Sequence, residues 1–357
     1  MLSFPWTMAV ALLYWNEDLL ASAGFDGPAE TWDEFYDQCA VVLDELGLYC
    51  QAIGVDASHF NANGFSRGAT NHVDVAGRST RFGEAPWDEV IDHYATMIEN
   101  EWGYPTIGRA DEALANIQDF AAQQVPYIIT SSRWIPFVSE SVGGSFNWNG
   151  GAIPQGSPTD SPVTVQYGPN IFAFDTNPAE NRASWELVNF LSGREAQAYW
   201  AEVSGNLPVR LSVADSAEYG AYLAANPVMA NASALAPTAL SELPMTDVGQ
   251  QTPLPYSFRV VVQETQSEIL TGALSRTDAQ QRLIEEGAAV LGPYIDDVFG
   301  TTAEVLQVAL MIPGVRNDNS FSQAGYEALV AAAAADGNVE YQILEEIHDP
   351  TLQRADR

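Results

Sequence analysis

The sequence predicts an α/β protein, and three observations carry that reading. Helix-start signals followed by apolar residues at helical spacing recur along the chain. Short unbroken apolar runs of strand length fall between them. Near the end, an apolar run, a helix and a second strand-like run form one β-α-β unit.

Residues 14–35 hold the densest punctuation. Tyr14-Trp15-Asn16-Glu17-Asp18-Leu19-Leu20 reads as a short amphipathic helix closed by Gly24, and a turn containing Pro28 follows. Thr31-Trp32-Asp33-Glu34 is a capping box, in which Thr31 accepts from the amide three residues on and Glu34 reaches back. Behind it, Trp32, Phe35, Tyr36, Cys39, Leu43 and Leu46 make one apolar helix face. Ser58 to Gly83 is polar and rich in Gly and Asn, which predicts loop. A helix from Trp87 presents Val90, Ile91, Tyr94, Ile98 and Trp102 on the same face, and another spans 110–123. Val125 to Ile129 reads as a buried strand leading into a helix start at Thr130-Ser131-Ser132-Arg133-Trp134. Gly143 to Pro162 has the composition of a connector.

Two short strands are expected within Val163–Asp175, around Tyr167-Gly168-Pro169-Asn170. Asn177-Pro178-Ala179-Glu180 starts a helix that runs to Leu191 and is stopped by Gly193. Helices dominate from there to about Val298, with a further capping box at Thr277-Asp278-Ala279-Gln280. The closing β-α-β unit consists of Val305–Ile312, a helix over Ser320–Ala335 and Val339–Ile347. A piece this small cannot cover both faces of its sheet alone.

Length and charge bound the function. At 357 residues the chain is expected to hold about two domains. It carries 47 acidic side chains against 14 basic ones, all arginine, for a net charge of −33. Such a field repels nucleic acid and anionic membranes. The acids are spread along the chain, which fits a solvated, salt-adapted surface better than an acidic tail. No apolar run reaches the ~20 residues of a membrane span. Met1 to Val10 lacks the basic start of a signal peptide and is broken by Pro5 and Trp6, so no export signal is expected in this chain. Cys39 lies on an apolar helix face and reads as a buried thiol, although the spacing leaves a disulfide with Cys50 open.

No metal or cofactor is expected. His59, His72, His93 and His348 form no metal-ligand spacing, and phosphate-loop, dinucleotide and nucleophile-elbow motifs are absent. The aromatics are more informative. Nine Trp and fourteen Tyr are many for an acidic chain, and several stand beside Gly, Pro, Ser or Asn. Flat rings next to hydroxyl and amide donors suit sugars and polyols. Trp32, Trp87, Trp185 and Trp200 fall in helices and read as core, whereas Trp6 and Trp134 stay open between core and site. Ser131-Ser132 sits where a strand meets a helix start, a place that favours phosphate, carboxylate or sugar oxygen; ordinary N-capping is the alternative. Arg259 opens the apolar run Val260-Val261-Val262 and would either pair with a local acid or meet an anionic ligand bidentately.

The segment at 14–35 resembles the extracellular solute-binding proteins (family 1) of ABC importers. So do Phe120–Trp134, then Tyr167-Gly168 through Asn206-Leu207-Pro208-Val209-Arg210, and Phe258–Ala279, in the family's order. Together they cover about residues 1–299. Glycerol-3-phosphate binders within that family are most similar. The resemblance implies a periplasmic-binding-protein-like II fold whose two lobes close on a ligand, with no catalysis. It implies ligand contacts at Ser131, Ser132, Gly168 and Arg259, with Trp6-Thr7 near another contact segment and Trp134 at the cleft. Two departures stand out: Tyr167 replaces a cleft Gly, and Arg133 replaces the Gly before the cleft Trp. A neutral sugar therefore fits as well as glycerol-3-phosphate.

The resemblance further implies ABC permease subunits as partners and a periplasmic or extracellular, membrane-tethered location. Lobe two is expected at about 1–155 and 205–299, with only the returning part of lobe one at about 156–204, as in an N-terminally truncated member. Val308–Gly314 and Asn317–Glu327 resemble the start of a nucleoside-binding lipoprotein of the basic-membrane-protein family, so 304–357 is expected to be an incomplete α/β unit joined on, by a genuine fusion or by gene calling or assembly. Asp318 and Phe321 fall in that family's ligand segment. The rival reading is a carbohydrate-active hydrolase with paired carboxylates, although among 47 acids some pair always looks suitable.

Overall fold

Residues 2–70, 72–74, 79–109, 112–159, 161–241, 256–299, 306–311, 330 and 339–344 are described by a computed structural model. After β1 (Leu2–Pro5) comes β2 (Ala9–Asn16), apolar and buried along nearly its whole length. Asn16 ends this strand and caps α1 (Glu17–Ser22), its Oδ1 accepting from the Leu19 amide at 2.9 Å. Tyr14 and Trp15 thus lie in a strand, where the sequence suggested the start of the helix.

The capping box of α2 (Trp32–Leu46) forms as expected: Thr31 Oγ1 accepts from Glu34 N at 3.3 Å, and Glu34 Oε2 accepts from Thr31 N at 3.2 Å. Trp32, Phe35, Cys39 and Val42 are its buried residues. Cys39 and Cys50 are joined in a disulfide with Cα atoms 5.0 Å apart. The buried-thiol reading is corrected: both cysteines enter the same core, so each sulfur finds the other.

β3 (Gln51–Ile53) leads to α3 (Ala57–Ser66), inside the stretch expected to be loop. Its Asn, Ser and Gly content weakens helix propensity. Burial of nearly every residue and an Asp56 cap, Oδ1 accepting from Ser58 N at 2.7 Å, form the helix instead. A small hairpin of β4 (Val73–Asp74) and β5 (Ser79–Thr80) occupies the same stretch. α4 (Ala85–Glu99) ends before Trp102, which lies beyond the helix. β6 (Gly103–Pro105) and α5 (Glu112–Ala121) follow. The strand expected at 125–129 is β7 (Tyr127–Ser131), two residues later, so Ser131 is in the strand. A 3₁₀ turn at Ser132–Trp134 separates it from α6 (Ile135–Val142). The expected connector contains β8 (Trp148–Gly151), a Gly-rich strand with little β signature of its own.

β9 (Val165–Tyr167) and β10 (Asn170–Ala173) match the expected strand pair but join different sheets. α7 (Pro178–Leu191) is capped by Asn177, whose Oδ1 accepts from Ala179 and Glu180 amides. α8 (Arg194–Ser204), α9 (Leu211–Ala214), α10 (Ala217–Ala225), α11 (Pro227–Leu235), β11 (Leu240–Ser241), α12 (Tyr256–Leu270) and α13 (Arg276–Phe299) continue the chain. The cap of α13 is Ser275, whose Oγ accepts from Asp278 N at 3.2 Å, two residues before the expected box. β12 (Leu306–Met311) and β13 (Val339–Leu344) pair in parallel, as the β-α-β pattern predicts. The expected helix at 320–335, with Asp318 and Phe321 nearby, lies outside the described residues apart from Val330, which is helical.

The main sheet has the order β11-β9-β2-β7-β3-β6, with β8 also on β2. β2 runs antiparallel to β7, β8 and β9, while β3 runs parallel to β7 and β6. Alternation along β2 divides its side chains between two cores. Val10, Leu12 and Tyr14 join Ile117, Phe120, Ile128 and Val138 on the side of α5, α6 and α11. Ala11 and Leu13 face the other core, with Phe35, Phe60, Trp87, Val262 and Leu283 from α2, α3, α4, α12 and α13. Each sheet face is therefore covered by helices.

A second, smaller body is the antiparallel β1–β10 ribbon with α7 and α8. Trp185 meets Phe4 at 5.6 Å between ring centroids, and Trp200 meets Trp6 at 5.4 Å. These two helical tryptophans are half-buried, not in the core as their spacing suggested. Phe172, Phe174, Leu187, Phe190 and Tyr199 leave a broad apolar face exposed here.

His72 sits fully buried among Phe65, Phe82 and Trp87. Its Nε2 is 2.8 Å from Asn61 Oδ1; an amide oxygen only accepts, so Nε2–H donates. Burial pushes its pKa from 6.5 down to about 3. As pH falls from 6.5 towards 3, the unfolded chain takes up a proton that the folded chain refuses. Stability should then fall by about 1.4 kcal/mol per pH unit from this group. Urea midpoints measured between pH 7 and pH 5 should decline more gently in His72→Gln; parallel declines would contradict the buried neutral imidazole.

Candidate functional site

Strand direction locates the site. β3 and β6 run with β7, and β9, antiparallel to the same β2, runs with them too. The carboxyl ends of these four strands therefore meet at one edge of the sheet, where open α/β sheets leave a crevice. A cavity of about 660 Å³ opens there. That is the size of small-ligand sites in general.

Each strand delivers its own wall. Gly54, Val55 and Asp56 follow β3; Thr106 and Ile107 follow β6; Thr130 and Ser131 end β7; Tyr167, Gly168 and Pro169 end β9. Helices close the sides through Ser58 and His59 of α3, Asn116 of α5 and Arg259 of α12. Arg133 and Trp134 of the 3₁₀ turn complete the lining. Hydroxyl, amide and guanidinium donors thus surround two aromatic rings.

Four of the expected contacts are brought together, with Trp134 open in the sequence now among them: Ser131, Trp134, Gly168 and Arg259 all line the cavity. Arg259 also realises its alternative reading. Its Nη2 lies 2.9 Å from Asp56 Oδ1 and 3.3 Å from Ser58 Oγ. Burial pushes the Asp56 carboxyl up, but His59, Arg259 and the Ser58 amide together hold it below the usual carboxylate range. Ser131 Oγ accepts from Arg133 N at 3.2 Å, the expected cap, while its carbonyl accepts from Tyr14 Oη at 2.9 Å. Trp134 is half-buried, 6.0 Å from Phe137 between centroids.

Three expected contacts stand apart from the lining. Ser132 is fully buried, and its Oγ accepts from the Val10 amide at 3.2 Å, so it ties the turn to β2. Thr7 is buried behind Gly168. Trp6 meets Trp200 in a tilted contact, and its amide donates to Pro169 O at 3.2 Å. Sequence reasoning missed Gly54–Asp56, His59, Thr106, Ile107 and Asn116. β3 and β6 are each three residues long, too short to show a period. The one available signal was Asp56 two before Ser58, a capping pair at the edge of a stretch read as loop.

Residues 1–228 match the bacterial extracellular solute-binding proteins. The chain belongs to that family. This solute-binding protein is 23% identical over 238 residues to the sn-glycerol-3-phosphate-binding periplasmic protein UgpB of Rhizobium meliloti, a match covering 64% of this chain and 54% of that protein. The chain therefore spans about half the length of that relative. Among solved structures it resembles UgpB from Mycobacterium tuberculosis in complex with glycerophosphocholine (18% identical, TM-score 0.68, 82% of this chain and 71% of that one). It also resembles the sugar-binding protein MalE of Xanthomonas citri (18% identical, TM-score 0.66, 84% and 73%). The fold is the two-lobe periplasmic-binding-protein-like α/β architecture. The Rhizobium meliloti and Xanthomonas citri proteins are named as binding proteins, and none of the three is named as an enzyme.

The chain passes between the main sheet and the ribbon at Thr7 and Gly168, side by side. A Cβ on Gly168 would stand 1.9 Å from Thr7 O, backbone against side chain with no room to yield. Gly168→Ala should therefore cost about 1–3 kcal/mol, as overpacking generally does. Thermal unfolding should show a lowered Tm; an unchanged Tm would mean that the two segments are not held in contact.

Proposed function

We propose that the chain is the substrate-binding component of an ABC importer. It takes a sugar or a glycerol-3-phosphate-like polyol at the carboxyl-end cavity and closes its lobes on it without turnover. One observation carries this reading: aromatic faces at Trp134 and Tyr167 stand among hydroxyl, amide and arginine donors in a single ligand-sized cavity. Family membership and the named ligands of the relatives support it. Permease subunits are the partners in this reading, and the periplasm or cell exterior is its place of work. We read 1–155 and 205–299 as lobe two and 156–204 as the returning part of lobe one. In the same reading 304–357 is a separate unit, kin to a nucleoside-binding lipoprotein, with its own two-stranded sheet. The hydrolase reading needs two carboxylates across a scissile bond; among the described lining residues Asp56 is the one acid, and it is paired with Arg259.

Calorimetry of the full chain against glycerol-3-phosphate, glycerophosphocholine and maltose should give saturable heat for at least one of them, with the ligand recovered intact. Hydrolysis products, or no binding to any of the three, would overturn the reading.

A further inference from the structure

The charge inside the cavity is opposite to that of the molecule. The chain carries −33 overall, yet the described residues lining its cavity include two arginines and one carboxylate. Arg259 and Asp56 offset each other at 2.9 Å. Arg133 remains. Its guanidinium carbon lies 4.5 Å from the Trp134 ring centroid, a cation–π contact that fixes the plane of the group and leaves its N–H edge uncommitted. Every other described arginine has a carboxylate or carbonyl partner. Among the described residues, Arg133 has no carboxylate partner.

Its backbone is held as firmly as its ring partner. Gly205 approaches so closely, at φ +65°, that a Cβ there would stand 2.7 Å from Ser132 O. The Arg133 amide donates to Ser131 Oγ. The side chain is exposed while its base is fixed. The family resemblance places a glycine at this position, so the cation is a property of this chain.

We propose that Arg133 is a specificity-determining residue that gives this cavity an anion subsite. It selects a polyol or sugar bearing a phosphate or carboxylate, which the planar guanidinium takes bidentately beside the Trp134 face. The inference rests on the receptor reading above and adds the charge class of the ligand and the residue that reads it.

The test is calorimetry of the full chain with glycerol-3-phosphate, glucuronate and uncharged maltose, on the parent, Arg133→Gln, Arg133→Lys and Arg182→Gln. Arg182 sits in an exposed helical ion pair far along the chain, so its variant controls for the change in net charge. Arg133→Gln should weaken the anionic ligand about tenfold or more and leave maltose within twofold. Arg133→Lys should recover part of the loss, since it keeps the charge without the fork. Preference for glycerol-3-phosphate or for glucuronate identifies phosphate or carboxylate as the group read. Equal losses for charged and uncharged ligands, an equal loss in Arg182→Gln, or a parent chain that binds maltose and neither anion would each overturn the proposal, the last while leaving the receptor reading intact. A parent chain that binds nothing fails the receptor reading itself.

Discussion

The double burial of β2 is the constraint on which the other elements depend. Eight residues, Ala9–Asn16, exchange backbone hydrogen bonds with β7 on one edge and with β8 and β9 on the other. Their side chains alternate into two separate cores, so a slip of one residue would send each set to the wrong side. Fixing β2 fixes the direction of β7 and β9, and through β7 that of β3 and β6. The cavity is where those directions converge. Ser132, buried with its hydroxyl on the Val10 amide, ties the cavity turn to the same strand.

Much of this architecture was legible in the residues. The Thr31–Glu34 box, the Asn177 cap and the apolar faces of α2 and α4 depend on contacts within a few residues, and local sequence records those directly. The parallel β12–β13 pair was readable for the opposite reason, as a continuous apolar run needs cover on both faces. What stayed hidden depends on distant neighbours. α3 is helical because its Asn-, Ser- and Gly-rich turns are buried from several sides, which no local propensity encodes. β8 is a strand because β2 offers it an edge. The Cys39–Cys50 pairing depends on where β3 begins, and β3 is three residues long.

The site divides along the same line. Ser131, Gly168 and Arg259 were visible because each stands beside a recognisable strand end, turn or helix start. Asn116 and Thr106 reach the cavity only because a parallel strand order places their elements next to β7, and nothing around either residue signals that. Electrostatics belongs to the hidden part as well. A total of −33 says nothing of a cavity where the uncompensated charge is positive. At a physiological Debye length of about 8 Å, acids farther than that from the cavity are largely screened there.

The cross-link between α2 and β3 bears on where such a protein matures. A disulfide forms and persists in oxidising surroundings and is kept open by cytosolic reductants. This one closes a loop of 11 residues, worth about 3 kcal/mol in the chain-entropy view. β3 runs from Cys50 straight to Gly54, Val55 and Asp56 at the cavity wall. A chain folded among reductants would hold that wall by packing and by the backbone pairing of β3 with β6 and β7. Oxidation fastens it, so the cavity wall that follows β3 gains its covalent anchor only in oxidising surroundings.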